Sequence, residues 1–426
     1  MKIVQEEQVT NLTLFITLLI ATAFHIGLSL LTKSPTVFVT ATDTARQIVD
    51  GKILYKDVEK PSTTGYAAWP PVFPYSLALW FMFMGQSEFA AKLFCVLTTI
   101  IAGYLCYIIG QEFLTAKQAY AAMLLFLFNP YTMLISLGGH FENYAAIFFL
   151  LAIRAIQKNR IGLAGIDLGI GIMTKLFPGL LLVVIVPFWI AHREYWTSIL
   201  FLATTTIAVV FIALPFLIIA PDGFFYHVFE FHAKRDTGGI SIYYYWFPWL
   251  FQEGFFILIL QLIILGTLAF LVYGFSKKWT NATFSIILVL WTPIALLAFL
   301  CSARVLYPRY LAFLIPFISW QAVFLWSRAL QREMGAIQLF GYLSMLGTLI
   351  WTLPWHLENH RPASFTPKIV LSNPDPLGLL YWIGAAIFDA TLLLLLAGNI
   401  WLVKKFSSDL GEKENIIESK KLQLRI

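Results

Sequence analysis

A few short stretches of this sequence carry side chains able to do acid–base or anion-binding chemistry. In TATDTARQIVDG, residues 40–51, Asp43 stands three residues before Arg46; GGHFEN, 138–143, holds His140, Glu142 and Asn143. GIGIMTKLFP, 169–178, sets Lys175 close to Pro178, HAKRD at 232–236 brings His232, Lys234 and Arg235, and ARVLYPRY at 303–310 brings Arg304 and Arg309. A carboxylate in a partly dry site can take a proton from a hydroxyl, and does so better as its pKa climbs from the ordinary value of about 3.9. A lysine or arginine beside a helix start joins a charge to unsatisfied backbone N–H groups, which is what a phosphate needs. Each residue also has a plainer reading. Asp43 could be a helix N-cap or a solvated loop acid, Glu142 could serve only the dipole of the helix it opens, and the cations could snorkel to lipid headgroups. The pair His227 and His232 lacks the fixed ligand pattern of a metal site, and the aromatic run 243–249 fits an interfacial belt as well as a sugar-stacking face.

The elements that must position these residues are membrane helices. The chain has 426 residues, 59% hydrophobic and 12% charged, with a mean hydropathy of +0.77, whereas soluble domains are about a quarter charged. Cys95, Cys106 and Cys301 all lie in or beside apolar runs, so they outline no disulfide framework or cysteine-rich metal site. The run 11–31 lacks a basic leader and a small-residue cleavage site and reads as a retained span. Further apolar runs at 89–110, 119–137, 144–157, 161–174, 176–191, 195–220, 246–274, 280–300, 310–327, 336–353 and 377–403 give about twelve spans in an all-α, polytopic fold. Pro130 should interrupt the third.

The stretch WPPVFPYSLALWFMFMG, 69–85, decides the orientation. Read as an interfacial or re-entrant helix, it leaves every short basic connector, from Lys117 through Arg154, Lys158 and Arg160 to Lys404 and Lys405, on the cytoplasmic side, as the positive-inside rule asks. Asp43, Arg46, His140, Glu142, Lys175, His232, Lys234, Arg235, Arg304 and Arg309 then share the outer side. So many cations on that face call for an anionic ligand. The tail 404–426 is cytoplasmic.

These segments, in this order, resemble the GT-C superfamily of integral-membrane glycosyltransferases, most strongly the catalytic subunit of GPI mannosyltransferase I and its microbial relatives. The matched elements are D-x-A-R-x-I-V-x-G-x-x-x-Y at 43–55, W-P-P at 69–71, N-P-Y with G-G-H-F-E-N at 129–143, G-I-G-I-M-T-K-L-F-P at 169–178, K-R-D-T-G-G-I-S-I-Y-Y-Y at 234–245 and Y-P-R-Y at 307–310. The resemblance implies an N-terminal catalytic module over 1–220, with amphipathic helices in the first outer loop, 32–88, and a more variable transmembrane module over 221–403. It implies inverting transfer of a sugar, mannose by preference, from a polyprenyl or dolichyl phosphate to a glycolipid, glycan or protein. Asp43 would act as base with Glu142 and His140 assisting. Lys175, Arg235, Arg304, Arg309, His232, Lys234 and Arg46 would meet the lipid phosphate.

Relatives often carry D-x-D at the first site, where this chain has Ala41, so a divalent ion (Mg or Mn) is in doubt. A small membrane accessory subunit would fit the scheme, and nucleic acid would not. The membrane would be the plasma membrane of a prokaryote or the ER of a eukaryote, with the site extracytoplasmic or lumenal. No G-x-x-x-x-G-K-[ST] phosphate loop occurs. The rival class is a multi-span transporter or lipid-linked oligosaccharide flippase, which would show related halves and ionisable groups at mid-membrane.

Overall fold

The computed structural model describes residues 9–31, 36–56, 69–137, 140–230, 238–239, 254–278, 284–302, 305–306, 308–326, 390 and 392–404. Helix α1 is Asn11–Leu31, and α2, Thr36–Val49, follows it. α3 is Val72–Met84 and α4 Glu88–Gly110. The expected span 119–137 is two helices, α5 (Ala116–Leu127) and α6 (Pro130–Leu137), broken where Pro130 was expected to interrupt it. Asn129 caps α6 through its side chain, accepting from Tyr131 N–H at 2.9 Å. α7 is Glu142–Gln157, α8 Ile161–Ile172, α9 Leu180–Ala191 after a 3-10 turn at Phe177–Gly179, and α10 Tyr195–Ile219. A short α11, Pro221–Phe225, runs into a π turn, Tyr226–Glu230. Helices α12 (Gly254–Lys278), α13 (Phe284–Cys301), α14 (Ile315–Trp326) and α15 (Leu392–Lys404) complete the described set.

Among the described residues, four helices or helix segments, Asn11–Leu31, Glu88–Gly110, Tyr195–Ile219 and Ile259–Lys277, are long and apolar enough to cross a bilayer, while seven more apolar helices have 10–17 residues. With its exposed apolar flanks, this is an integral membrane protein of the all-α class. The expected run 336–353, and with it the full tally of spans, lies outside the described residues. α3 has 13 residues and is thus about 20 Å long, against a hydrocarbon core of about 30 Å. It stops at Gly85, whose φ of +82° a side chain would oppose.

One continuous core runs through α1, α4 to α9 and α12 to α15. Trp320 of α14 is fully buried and donates its indole N–H to the Cys106 carbonyl at 3.0 Å. α8 and α10 pack through glycines: a Cβ on Gly165 would stand 2.7 Å from the Phe201 carbonyl oxygen, and one on Gly169 would stand 2.8 Å from that of Thr205. This is the small-residue contact by which membrane helices approach closely.

Candidate active site

Helix α2 carries Asp43 in its interior, so the acid is neither an N-cap nor a loop residue. Four threonines, Thr36, Thr40, Thr42 and Thr44, make the segment a poor helix by propensity. Packing holds it instead: Ala41 and Ala45 are fully buried against Phe73, Leu77, Ala90 and Phe141, with Ile48 and Val49 alongside. Gly51 ends the helix at φ +86°, with its N–H bonded to Ile48 O at 3.0 Å and the Lys52 N–H to Gln47 O at 3.0 Å. That double bond is the Schellman closure. Asp43 projects from a different face and is half-exposed. Its Oδ1 accepts from Arg46 Nη1 at 2.9 Å, and Arg46 Nε and Nη2 both donate to the Gln86 carbonyl, at 3.0 and 2.9 Å. The expected phosphate ligand Arg46 is therefore engaged in tying Asp43 to the α3–α4 turn.

The second group gathers at the start of α7. His140, Glu142 and Asn143 are all buried, the last two completely. Asn143 Nδ2 donates to Thr99 Oγ1 at 2.8 Å, which in turn donates to the Cys95 carbonyl at 2.8 Å. Glu142 Oε1 accepts from Lys175 Nζ at 2.5 Å; the lysine side chain is 13% exposed and the carboxylate 0%. Lys175 sits at the join between α8 and the turn 177–179, with its Nζ over the rings of Tyr310 (4.3 Å), Phe141 (4.9 Å) and Phe177 (5.5 Å). Electron-rich ring faces and a carboxylate together form a cage for one ammonium group.

Phe141 links the two groups. Its ring stacks on Phe73 at 4.5 Å within the cluster that seats Ala41 and Ala45, and it also lies under Lys175. A backbone bond from Val72 N–H to Met173 O, 3.1 Å, ties the start of α3 to the end of α8 beside them.

The third element is a parallel pairing of two-residue strands, β1 (Gly238–Gly239) with β2 (Val305–Leu306), in register Gly238 with Val305 and Gly239 with Leu306. It brings the loop after Lys234 and Arg235 beside the segment that follows Arg304 and precedes Arg309. His232, Lys234, Arg235 and Arg304 lie outside the described residues; Arg309 falls in a 3-10 helix, Pro308–Phe313.

Two residues that have no assigned role in the sequence reading stand near the site: Tyr55, which closes the 43–55 motif, and Lys92. Tyr55 is buried at the end of the α2 loop, and its hydroxyl donates to Trp69 O at 2.5 Å. Burial, and secondarily the neighbouring Tyr75, pushes that hydroxyl well above the ordinary tyrosine pKa. Lys92 donates to the Ser29 carbonyl at 3.0 Å near the end of α1 and pairs with Glu88 at 3.1 Å; its four-residue spacing from Glu88 was the available signal. The described residues do not fit a divalent cation. No group of three His, Cys, Asp or Glu among them could hold one, Asp43 is paired with a guanidinium, and Ala41 is packed in the core.

Residues 68–219 match the family model described as dolichyl-phosphate-mannose-protein mannosyltransferase. Among solved structures, ArnT from Cupriavidus metallidurans bound to undecaprenyl phosphate is similar at a TM-score of 0.56 and 16% identity, over 91% of this chain and 77% of that one. Its apo form gives 0.54 and 16% over 90% and 77%. The apo oligosaccharyltransferase of Archaeoglobus fulgidus gives 0.41 and 13% over 96% and 52%, too low a score to bear on the fold. No curated protein matches. The chain thus has the fold of ArnT, and its residues 68–219 match the dolichyl-phosphate-mannose-protein mannosyltransferase family model.

Proposed function

We propose that this protein is an inverting glycosyltransferase that moves a sugar, mannose in the first instance, from a polyprenyl or dolichyl phosphate to a glycolipid, glycan or protein acceptor on the extracytoplasmic face. The carrying observation is the placement of Asp43: a half-exposed carboxylate on a helix whose opposite side is packed, joined through Phe141 to the Glu142–Lys175 pair. The family match over 68–219 and the undecaprenyl phosphate bound by ArnT support a lipid-phosphate donor.

In this reading the acceptor hydroxyl gives its proton to Asp43 while its oxygen bonds to C1 of the sugar. The C1–O bond to phosphate breaks on the opposite side, and the lipid phosphate leaves with the electron pair. Lys175, Arg235, Arg304 and Arg309, with His232 and Lys234 in the same loops, stabilise that growing charge, an effect stronger away from water. Arg46 holds Asp43, and enclosed Glu142, with buried His140 two residues before it, acts on the site through Lys175, whose ammonium it holds in place. The catalytic module is 1–220, and 221–403 supplies loops to it.

The test is transfer from labelled polyprenyl-phosphate mannose in proteoliposomes, read as free polyprenyl phosphate and as product mass. Asp43→Asn should slow transfer by about 10²–10⁴-fold with an unchanged melting midpoint, since it loses only an exposed i,i+3 pair. Near-normal transfer by that variant would remove Asp43 from the mechanism.

A further inference from the structure

Tyr55 has a φ of +71°, a conformation that a bulky residue keeps only where its surroundings over-determine it. Here they do. Its ring meets Phe216 at 5.4 Å and Phe224 at 5.5 Å, both edge-on, and stacks on His227 at 5.7 Å and 27°. Its hydroxyl is bonded to Trp69 O, and its own carbonyl lies so near Gly223 that a Cβ there would stand 2.4 Å from the oxygen. His227 belongs to the π turn Tyr226–Glu230, a rare geometry that concentrates at functional sites. The α2 helix, closed at Gly51, reaches Tyr55 within one short turn. The chain after Asp43 and the chain after α10 therefore meet at this strained residue, within a cluster that also buries Leu54 against Phe216, Phe224 and Val228.

We propose that Tyr55 and His227 are positioning residues: their stack is the joint that fixes α2 against the segment 221–230 and so sets where Asp43 stands. The kinetic consequence rests on the transferase reading above; the mechanical one does not. A joint of this kind should affect the chemical step more than donor binding, because a displaced base loses its alignment while the lipid site is kept.

The experiment compares wild type with His227→Ala, His227→Phe, Tyr55→Ala and Tyr55→Phe in nanodiscs. Backbone hydrogen exchange of α2 and steady-state transfer from polyprenyl-phosphate mannose are measured on each protein. His227→Ala, a change at a partly exposed position outside α2, should speed exchange at α2 amides about tenfold. It should also lower kcat about 10- to 100-fold with donor KM held within about twofold. Tyr55→Ala should do the same. The two Phe variants, which keep a stacking ring, should stay within about threefold of wild type in both readouts. Unchanged α2 exchange in folded His227→Ala overturns the joint, as does equal damage by His227→Phe and His227→Ala. If wild type itself transfers no sugar, the transferase reading fails, and the exchange measurement alone decides the joint.

Discussion

Removing Glu142 should damage the protein more than removing Glu142 and Lys175 together. The carboxylate is fully enclosed, the lysine side chain is 13% exposed, and the two are 2.5 Å apart. Breaking a buried pair by deleting one member costs about 3–5 kcal/mol, because the other charge stays desolvated, whereas replacing both by neutral groups of similar volume is often close to neutral. In Glu142→Gln the ammonium keeps its three ring faces, worth about 0.5–2 kcal/mol, and an edge to solvent, so the loss should fall near the lower limit, about 3 kcal/mol. That is about a hundredfold in the folding equilibrium. In Lys175→Met the carboxylate has no route to water and recovers only about 0.3–1 kcal/mol from the start of α7, which puts this loss nearer 4–5 kcal/mol. The double variant should lie within about 2 kcal/mol of wild type, so the cycle shows a large coupling of opposite sign to the single losses. Denaturant-induced unfolding of the four purified proteins in one detergent, followed by tryptophan emission, measures it. A double variant as unstable as the sum of the single losses would refute the enclosed-pair argument. Transfer in a stable double variant would show that the pair serves the fold and not the chemistry.

Three further outcomes follow from other parts of the structure. Ala41→Asp, which would recreate the paired acids of the relatives, places a charge at a position 1% exposed; it should melt lower than wild type and gain no metal dependence, and metal-stimulated transfer in a stable Ala41→Asp protein would show otherwise. Gly165→Leu has no room, with a backbone carbonyl oxygen 2.7 Å from its Cβ; it should lose at least about 1–3 kcal/mol and elute from size-exclusion as aggregate, and a monodisperse, normally melting variant would contradict the close α8–α10 contact. At the other end of the bundle, hydrogen bonds from Arg154, the larger cause, and from Lys158 hold the Glu112 carboxyl below the ordinary value of 4.5. A depressed folded pKa adds stability that is complete above the ordinary value and fades as pH falls through the folded one. The melting gap between wild type and Glu112→Gln should therefore be open at pH 7 and narrow below about pH 4.5; a gap independent of pH would exclude the linkage.

Membrane helices were legible because hydrocarbon demands long apolar runs: 11–31 appears as Asn11–Leu31 and 89–110 as Glu88–Gly110. The interruption at Pro130 was legible because a missing N–H and a ring clash act locally. Asp43 was harder. A helix in the first outer loop is expected from the resemblance, but not that Asp43 lies inside it, because TATDTARQ favours helix only once Ala41 and Ala45 meet Phe73 and Phe141. The pairing of Glu142 with Lys175 spans 33 positions, beyond any periodic signal. Arg46 reads from the sequence as one outer cation among several, yet in space it answers Asp43 and the Gln86 carbonyl. Tyr55 has no local mark of its strain, since what holds it comes from α10, α11 and the π turn.

The two-residue ladder between Gly238–Gly239 and Val305–Leu306 makes everything between them an excursion that leaves and returns at one point. Closing such a loop grows costlier only slowly with its length, by about 0.6 kcal/mol for each doubling. The α12–α13 hairpin is more than a loop, however: Leu268, Val272, Trp291 and Leu297 are buried in the continuous core, and both helices pack on α9. In engineering terms, the ladder fixes where a swapped part would begin and end, between Gly239 and Val305, and the core sets its condition: a grafted hairpin has to offer α9 the same apolar face.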